Sequence, residues 1–110
     1  MLTTPSQRLC ALERSILRAL CQASLPDALR QGICRELATY QWRLADHRIV
    51  FAALQRARTA SSSPLREQLP AHATRMGFPD INWAVLFVPG EAVEGIERLV
   101  TDLRAAERAS

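Results

Sequence analysis

A chain of 110 residues suits a single domain, residues 1–110, and excludes a large multi-domain enzyme. Apolar residues make up 48% of it and there are only four glycines, which allows one real core and favours an all-α fold. The net charge is +3, all 14 basic residues are arginine, and no apolar run approaches the ~20 residues of a membrane span.

The first eight residues, Met1-Leu2-Thr3-Thr4-Pro5-Ser6-Gln7-Arg8, lack the basic and apolar regions of a secretory signal, so a cytoplasmic location is expected. Ser6 is a candidate N-cap for a first helix over residues 6–23. Leu9, Leu12, Ile16 and Leu20 recur at three- and four-residue spacing and form its apolar stripe, which Cys10, Leu17 and Cys21 widen. Arg8, Arg14 and Arg18 fall off the centre of that stripe.

Pro26 predicts the first position of a second helix that runs to about residue 38, with Leu29, Ile33 and Leu37 on its core face. Gly32 lies inside it. Residues 39–45 form a connection that carries Tyr40 and Trp42. Asp46 then predicts the cap of a third helix through Arg58. Its stripe is Val50, Phe51, Leu54 and Ala57, with Ile49 and Ala53 extending it to a second side.

Residues 59–63 are a short polar loop. Ser63 and Pro64 predict the start of a fourth helix, with Leu65, Leu69 and Met76 facing the core. Pro70 predicts a kink or a split at Leu69. Gly77 has the character of a C′ glycine, with Phe78 supplying the apolar contact that follows one. Residues 80–88 read either as an alternating strand or as a short buried helix capped by Asp80 or Asn82, and the helix suits its neighbours better. A last helix over residues 91–108 has the stripe Val93, Ile96, Leu99, Val100 and Leu103. Its acids come early and its arginines late, matching the helix dipole.

Charge is uneven along the chain. Residues 1–63 carry nine arginines against four acids, and residues 64–110 carry five against seven. A basic patch of Arg30, Arg35, Arg43, Arg48, Arg56 and Arg58 would form if the second and third helices lie side by side. Solvated arginine is the commoner outcome of such a pattern. The exclusive use of arginine fits a G+C-rich coding sequence, and phosphate or carboxylate recognition is the functional alternative.

Cys10, Cys21 and Cys34 are an odd set. Cys10 and Cys21 share one predicted helix roughly 16 Å apart, too far for a disulfide, so small buried thiols in a reducing compartment are expected. With His47 and His72 they supply no close ligand pair, so no metal site and no cofactor are expected. No P-loop, dinucleotide turn or His-Glu-x-x-His is present. A thiol–base pair of Cys34 and His47 has nothing around it that marks an active site, so no catalytic residue is expected. His47, in the first turn of a helix, is expected to be neutral, with its ring under Trp42 and one nitrogen donating to a carbonyl. Trp42 itself suits either the core or an interface hot spot.

The stretch Trp42-Arg43-Leu44-Ala45-Asp46-His47-Arg48-Ile49-Val50-Phe51-Ala52-Ala53-Leu54 places an aromatic residue five positions before a His, then an apolar Ile-Val-Phe cluster, then Ala-Leu one turn on. It resembles the N-terminal helical domain of DnaB-type replicative helicases, with Trp42, His47, Ile49, Phe51 and Leu54 as the matching motif. The order of helices follows the same domain over roughly residues 10–108. A related fold occurs at the C-terminus of DnaG-type primases. The resemblance implies an orthogonal bundle of five or six helices without the motor domain. It also implies a non-enzymatic docking module that binds a replication protein (primase, helicase or loader) and self-associates as a homodimer. Arg43, Arg48, Arg56 and Arg58 are the candidate interface. The alternative is a small nucleic-acid-binding or regulatory helical protein.

Overall fold

The computed structural model describes residues 5–22, 24–57, 64–87 and 95–109. Among them are six α-helices and no strand: α1 (Pro5–Leu20), α2 (Asp27–Glu36), α3 (Ala45–Arg56), α4 (Leu65–Arg75), α5 (Trp83–Leu86) and α6 (Ile96–Ala109). The chain is therefore an all-α bundle. No described helix is long and apolar enough to cross a membrane.

The bundle is built around α1 and α3. α1 packs on α6, α3 and α5, while α3 also packs on α4 and α2. Leu9, Ile16, Leu17 and Leu20 of α1 are buried, and they share one core with Ile33 and Leu37, Val50, Phe51 and Leu54, Leu69, and Ile96, Val100 and Leu103. The three- and four-residue spacing of these side chains puts each set on one helical face, and burying that face is what orders short helices. Leu12, Leu29, Leu65 and Met76 are only partly buried at the rim of this core. Val93 lies outside the described residues.

α1 ends three residues before the predicted end. Its last turn tightens, with Cys21 N–H donating to Leu17 and Arg18 carbonyls and Gln22 N–H to Ala19. The carbonyls left over at a helix C-terminus need donors. Here they come from α2. Buried Arg30 donates from Nε to Leu20 O at 2.9 Å, and from a terminal nitrogen to Gln22 O at 2.6 Å and Leu25 O at 3.1 Å. Its other terminal nitrogen meets Asp27 at 2.6 Å. Arg30 is thus a clamp across the α1–α2 corner and is not available to the basic patch the sequence suggested.

The helix starts differ from the sequence reading. α1 begins at Pro5, so Ser6 lies inside the helix and is not its cap, and α6 begins at Ile96, after Gly95 at φ +83°, where the expectation was residue 91. Pro26 and Pro64 occupy N-cap positions, one residue earlier than a first helical turn, and the Ser63 cap lies outside the described residues. The N-cap of α3 is Leu44, with no side-chain cap, and Asp46 falls in the first turn. Asp46 still favours the helix through the dipole.

Pro70 does not split α4, which is continuous from Leu65 to Arg75. A proline removes the bond to the carbonyl four residues back. That carbonyl belongs to Arg66, an exposed residue in the first turn, while Leu69 and Ala73 on either side of Pro70 are fully buried and hold the helix on the core. The helix then stops as expected. Gly77 takes φ +91°, its N–H bonds to Thr74 O at 3.0 Å, and Phe78 N–H bonds to Ala73 O at 2.9 Å. These two bonds are a Schellman cap. Phe78 does not add the apolar contact, because its side chain is 42% exposed.

Within residues 80–88 the structure chooses the helix: α5 is a single turn starting after Asn82, without a side-chain cap. Its Leu86 is buried, and Val85 O accepts from Arg18 Nε at 3.0 Å, tying α5 to α1.

Candidate functional site

A glutamate lies in the middle of the apolar stripe of α1. Glu13 follows Leu9 by four residues and precedes Ile16 by three, so helix geometry puts it on the core face. Its side chain is fully buried. A carboxylate there is tenable only with several donors. Three converge on it. Tyr40 O–H donates to Oε2 at 2.6 Å, the Arg43 backbone N–H lies 3.1 Å from both oxygens, and His47 Nδ1 lies 2.7 Å from Oε1.

His47 Nδ1 and Glu13 Oε1 are within hydrogen-bond distance, and a ring N–H at Nδ1 would donate to the carboxylate. His47 is therefore buried as expected, but its partner is a carboxylate on another helix rather than a backbone carbonyl. The correction has a simple cause: a charged acceptor outcompetes a neutral one for the ring N–H. Burial pushes the Tyr40 phenol well above its ordinary range, and the hydrogen bond to Glu13 and the charges of Glu13 and Glu107 push it further, against Arg43.

All three donors belong to one short segment, the connection from α2 into α3 and the first turn of α3. Glu13 is a clasp on that segment. Aromatic packing supports it from the core side. Tyr40 meets Trp42 edge-on at 5.0 Å, and Trp42 meets Phe51 at 4.9 Å with the rings tilted by 39°. Trp42 is buried, which resolves its role in favour of packing, and its Nε1–H finds no acceptor among the described residues. Of the remaining motif residues, Phe51 and Leu54 are buried and Ile49 is partly buried against the core.

The outer side of the connection borders an open cleft of about 580 Å³ lined by residues 39–43 together with Leu9 and Glu107. Arg43 is exposed, and the next residue, Leu44, is 41% exposed, unusual for a leucine that starts a core helix. Arg48 and Arg56 are exposed on α3, and Arg58 lies outside the described residues. α2 and α3 do lie in contact. The groove of about 400 Å³ beside them is lined by Gln31, Cys34, Arg35, Leu54 and Gln55, among others. Of the arginines only Arg30 and Arg35 border that groove, and Arg30 is already bound to chain carbonyls.

Cys34 and His47, weighed as nucleophile and base, have different surroundings: Cys34 borders the α2–α3 groove and His47 faces Glu13. Cys21 and Cys34 are free thiols, and burial raises them to about 12 and about 11 respectively, against the lowering effect of Arg30. Thiols raised this far are poor nucleophiles at neutral pH. Among the described residues no group of three or more His, Cys, Asp or Glu is placed to hold a metal.

Sequence reasoning missed Glu13 and gave Arg30 to a surface patch instead of the α1–α2 corner. The signal for Glu13 was a charged residue inside an apolar stripe, and buried acids are rare unless they are paired. No family model, no curated protein and no solved structure matches this chain.

Proposed function

We propose that the chain is a non-enzymatic protein-docking module of the kind represented by the helicase N-terminal domain, and that its partner is a replication protein: a primase, a helicase or a loader. The observation that carries the docking part is the edge formed by residues 39–44. Its inner side is fastened to Glu13 and the aromatic cluster. Its outer side offers exposed Arg43 and Leu44 beside the cleft. A segment held in one conformation before binding loses little entropy when a partner arrives, so a small apolar and charged contact there counts fully toward affinity. The groups with acid–base chemistry, Glu13, Tyr40 and His47, are turned inward onto each other, which supports a structural role for them. The choice of a replication partner rests on the resemblance of the Trp42–Leu54 stretch.

Calorimetry of the purified protein against its host's replicative primase and helicase tests this reading, with light scattering on the same sample for self-association. Saturable binding at micromolar Kd or tighter is the expected result. No heat with either protein overturns the replication assignment. The exposed arginines Arg35, Arg43, Arg48 and Arg56 favour nucleic acid as the second reading, and steeply salt-dependent binding to duplex DNA would be its mark.

A further inference from the structure

We propose that Glu13 is a positioning residue that latches the 39–44 edge, so that the cleft wall exists only while the three donors are closed on its carboxylate. The consequence for partner binding rests on the docking reading above; the latch itself does not.

Two of the cleft-lining residues, Tyr40 and Arg43, are also donors to Glu13, one through its side chain and one through its backbone. The third donor, His47, fixes the first turn of α3, where the edge ends. Thus a single carboxylate on α1 holds both the start and the end of the cleft wall. The backbone bonds that flank this segment are local: Tyr40 N–H to Leu37 O at 3.0 Å at one end, and Arg48 N–H to Leu44 O at 3.1 Å at the other. Between them the Arg43 N–H goes to Glu13. Segments with few backbone bonds open locally at much lower free energy than the helices around them. Glu13 is what raises that opening free energy here. A ligand that needs the closed wall binds only the latched form, so latch and cleft are coupled by mass action.

Replacing the carboxylate by an amide of the same shape breaks the match. In Glu13→Gln an uncharged amide replaces the carboxylate: one acceptor oxygen becomes an NH2, and His47 either loses its bond or must change tautomer to accept from it, while Tyr40 and Arg43 keep only a weaker, neutral acceptor. The test is residue-resolved amide hydrogen exchange on the full chain, wild type and Glu13→Gln. In the wild type the Arg43 amide, on an exposed residue outside any helix, should exchange at least a hundredfold slower than an open chain. In Glu13→Gln it should exchange at least tenfold faster than in the wild type, while Val100 and Leu103 in α6 keep their protection. Equal acceleration at all sites would mean a general loss of stability and would overturn the latch. So would an unprotected Arg43 amide in the wild type, a result that needs no variant to fold. With the partner, Glu13→Gln should bind at least tenfold more weakly at unchanged helix content. If the wild type binds neither primase nor helicase, the docking reading fails and the exchange data still decide the latch.

Discussion

His47 Nδ1 lies 2.7 Å from Oε1 of Glu13, although 34 residues separate them in the chain. The pair joins the middle of α1 to the first turn of α3, and it fixes the register of the two central helices by a charged contact that apolar packing alone would leave free to slide. Buried polar contacts of this type are costly to half-remove, because the remaining partner keeps its desolvation penalty.

Tyr40→Phe tests the strength of the clasp. It keeps the ring that packs on Trp42 and removes only the O–H that donates to Glu13 at 2.6 Å. Loss of a hydrogen bond to a charged group should cost about 1.5–3 kcal/mol. Urea denaturation should show a lower midpoint at an unchanged m-value. A midpoint equal to wild type would mean that Glu13 does not depend on this donor.

Arg30 should be among the most sensitive positions outside the apolar core. Arg30→Met keeps the buried stem and leaves the carbonyls of Leu20, Gln22 and Leu25 without their donor. The expected loss is about 1–3 kcal/mol, the range for leaving a buried acceptor without its donor. Arg30→Lys should recover little, since one ammonium cannot reach carbonyls spread along a planar fork. Full recovery by lysine, read from thermal melting, would show that charge alone matters at this corner.

Two glycines should respond to alanine with opposite signs. Gly32 lies inside α2, and a Cβ built there meets nothing within 4 Å. Gly32→Ala should stabilise the protein by about 0.5–1 kcal/mol through helix propensity and a less flexible unfolded chain. Gly77 sits at φ +91° in the cap of α4, so Gly77→Ala should destabilise by about 1 kcal/mol despite equally open space. Melting temperatures that move in the same direction for both would contradict the structure at one of these sites.

Stability should fall as the solution becomes alkaline. Cys21 and Cys34 are raised from 9.0 to about 12 and about 11 by burial, and the Tyr40 phenol is raised in the same sense. Above pH 9 the unfolded chain releases thiol protons that the folded chain retains, so the folded state binds more protons and the slope of stability with pH is negative. The contribution is complete below pH 9 and is lost as pH rises through the folded values. Urea midpoints at pH 7, 9 and 10 should decline across the last interval. The decline should be shallower when Cys21 and Cys34 are both replaced by alanine. A flat profile to pH 10 would contradict the burial of these thiols.

Helix identity and most of the core were legible in the sequence, because the stripes Leu9–Ile16–Leu20, Ile33–Leu37, Val50–Leu54 and Ile96–Val100–Leu103 repeat with the helical period and the structure buries them. Gly77 and the helical reading of residues 80–88 follow from local chemistry in the same way. What periodicity does not encode is partnership at long range. Glu13 and His47 were each readable as residue types, but their meeting depends on how α1 crosses α3. Arg30 looked like one more surface arginine, and only the path of the chain after Leu20 turns it into a clamp. The starts of α2, α3 and α4 slipped by one or two positions because Pro26, Leu44 and Pro64 take cap positions on backbone angles alone. Leu44 and Arg43 as an outward edge were half legible: Arg43 was in the predicted interface, and Leu44 was not.

The most direct test of the docking account is calorimetry of Leu44→Glu beside Arg75→Glu against the partner that binds the wild type. Leu44 is exposed at the edge, and Arg75 is exposed in the last turn of α4, outside the candidate interface. The account predicts that Leu44→Glu weakens binding at least a hundredfold, about 2.7 kcal/mol, while Arg75→Glu changes it less than threefold. Unchanged affinity for Leu44→Glu, in a protein that melts like wild type, would contradict the claim that residues 39–44 are the docking edge.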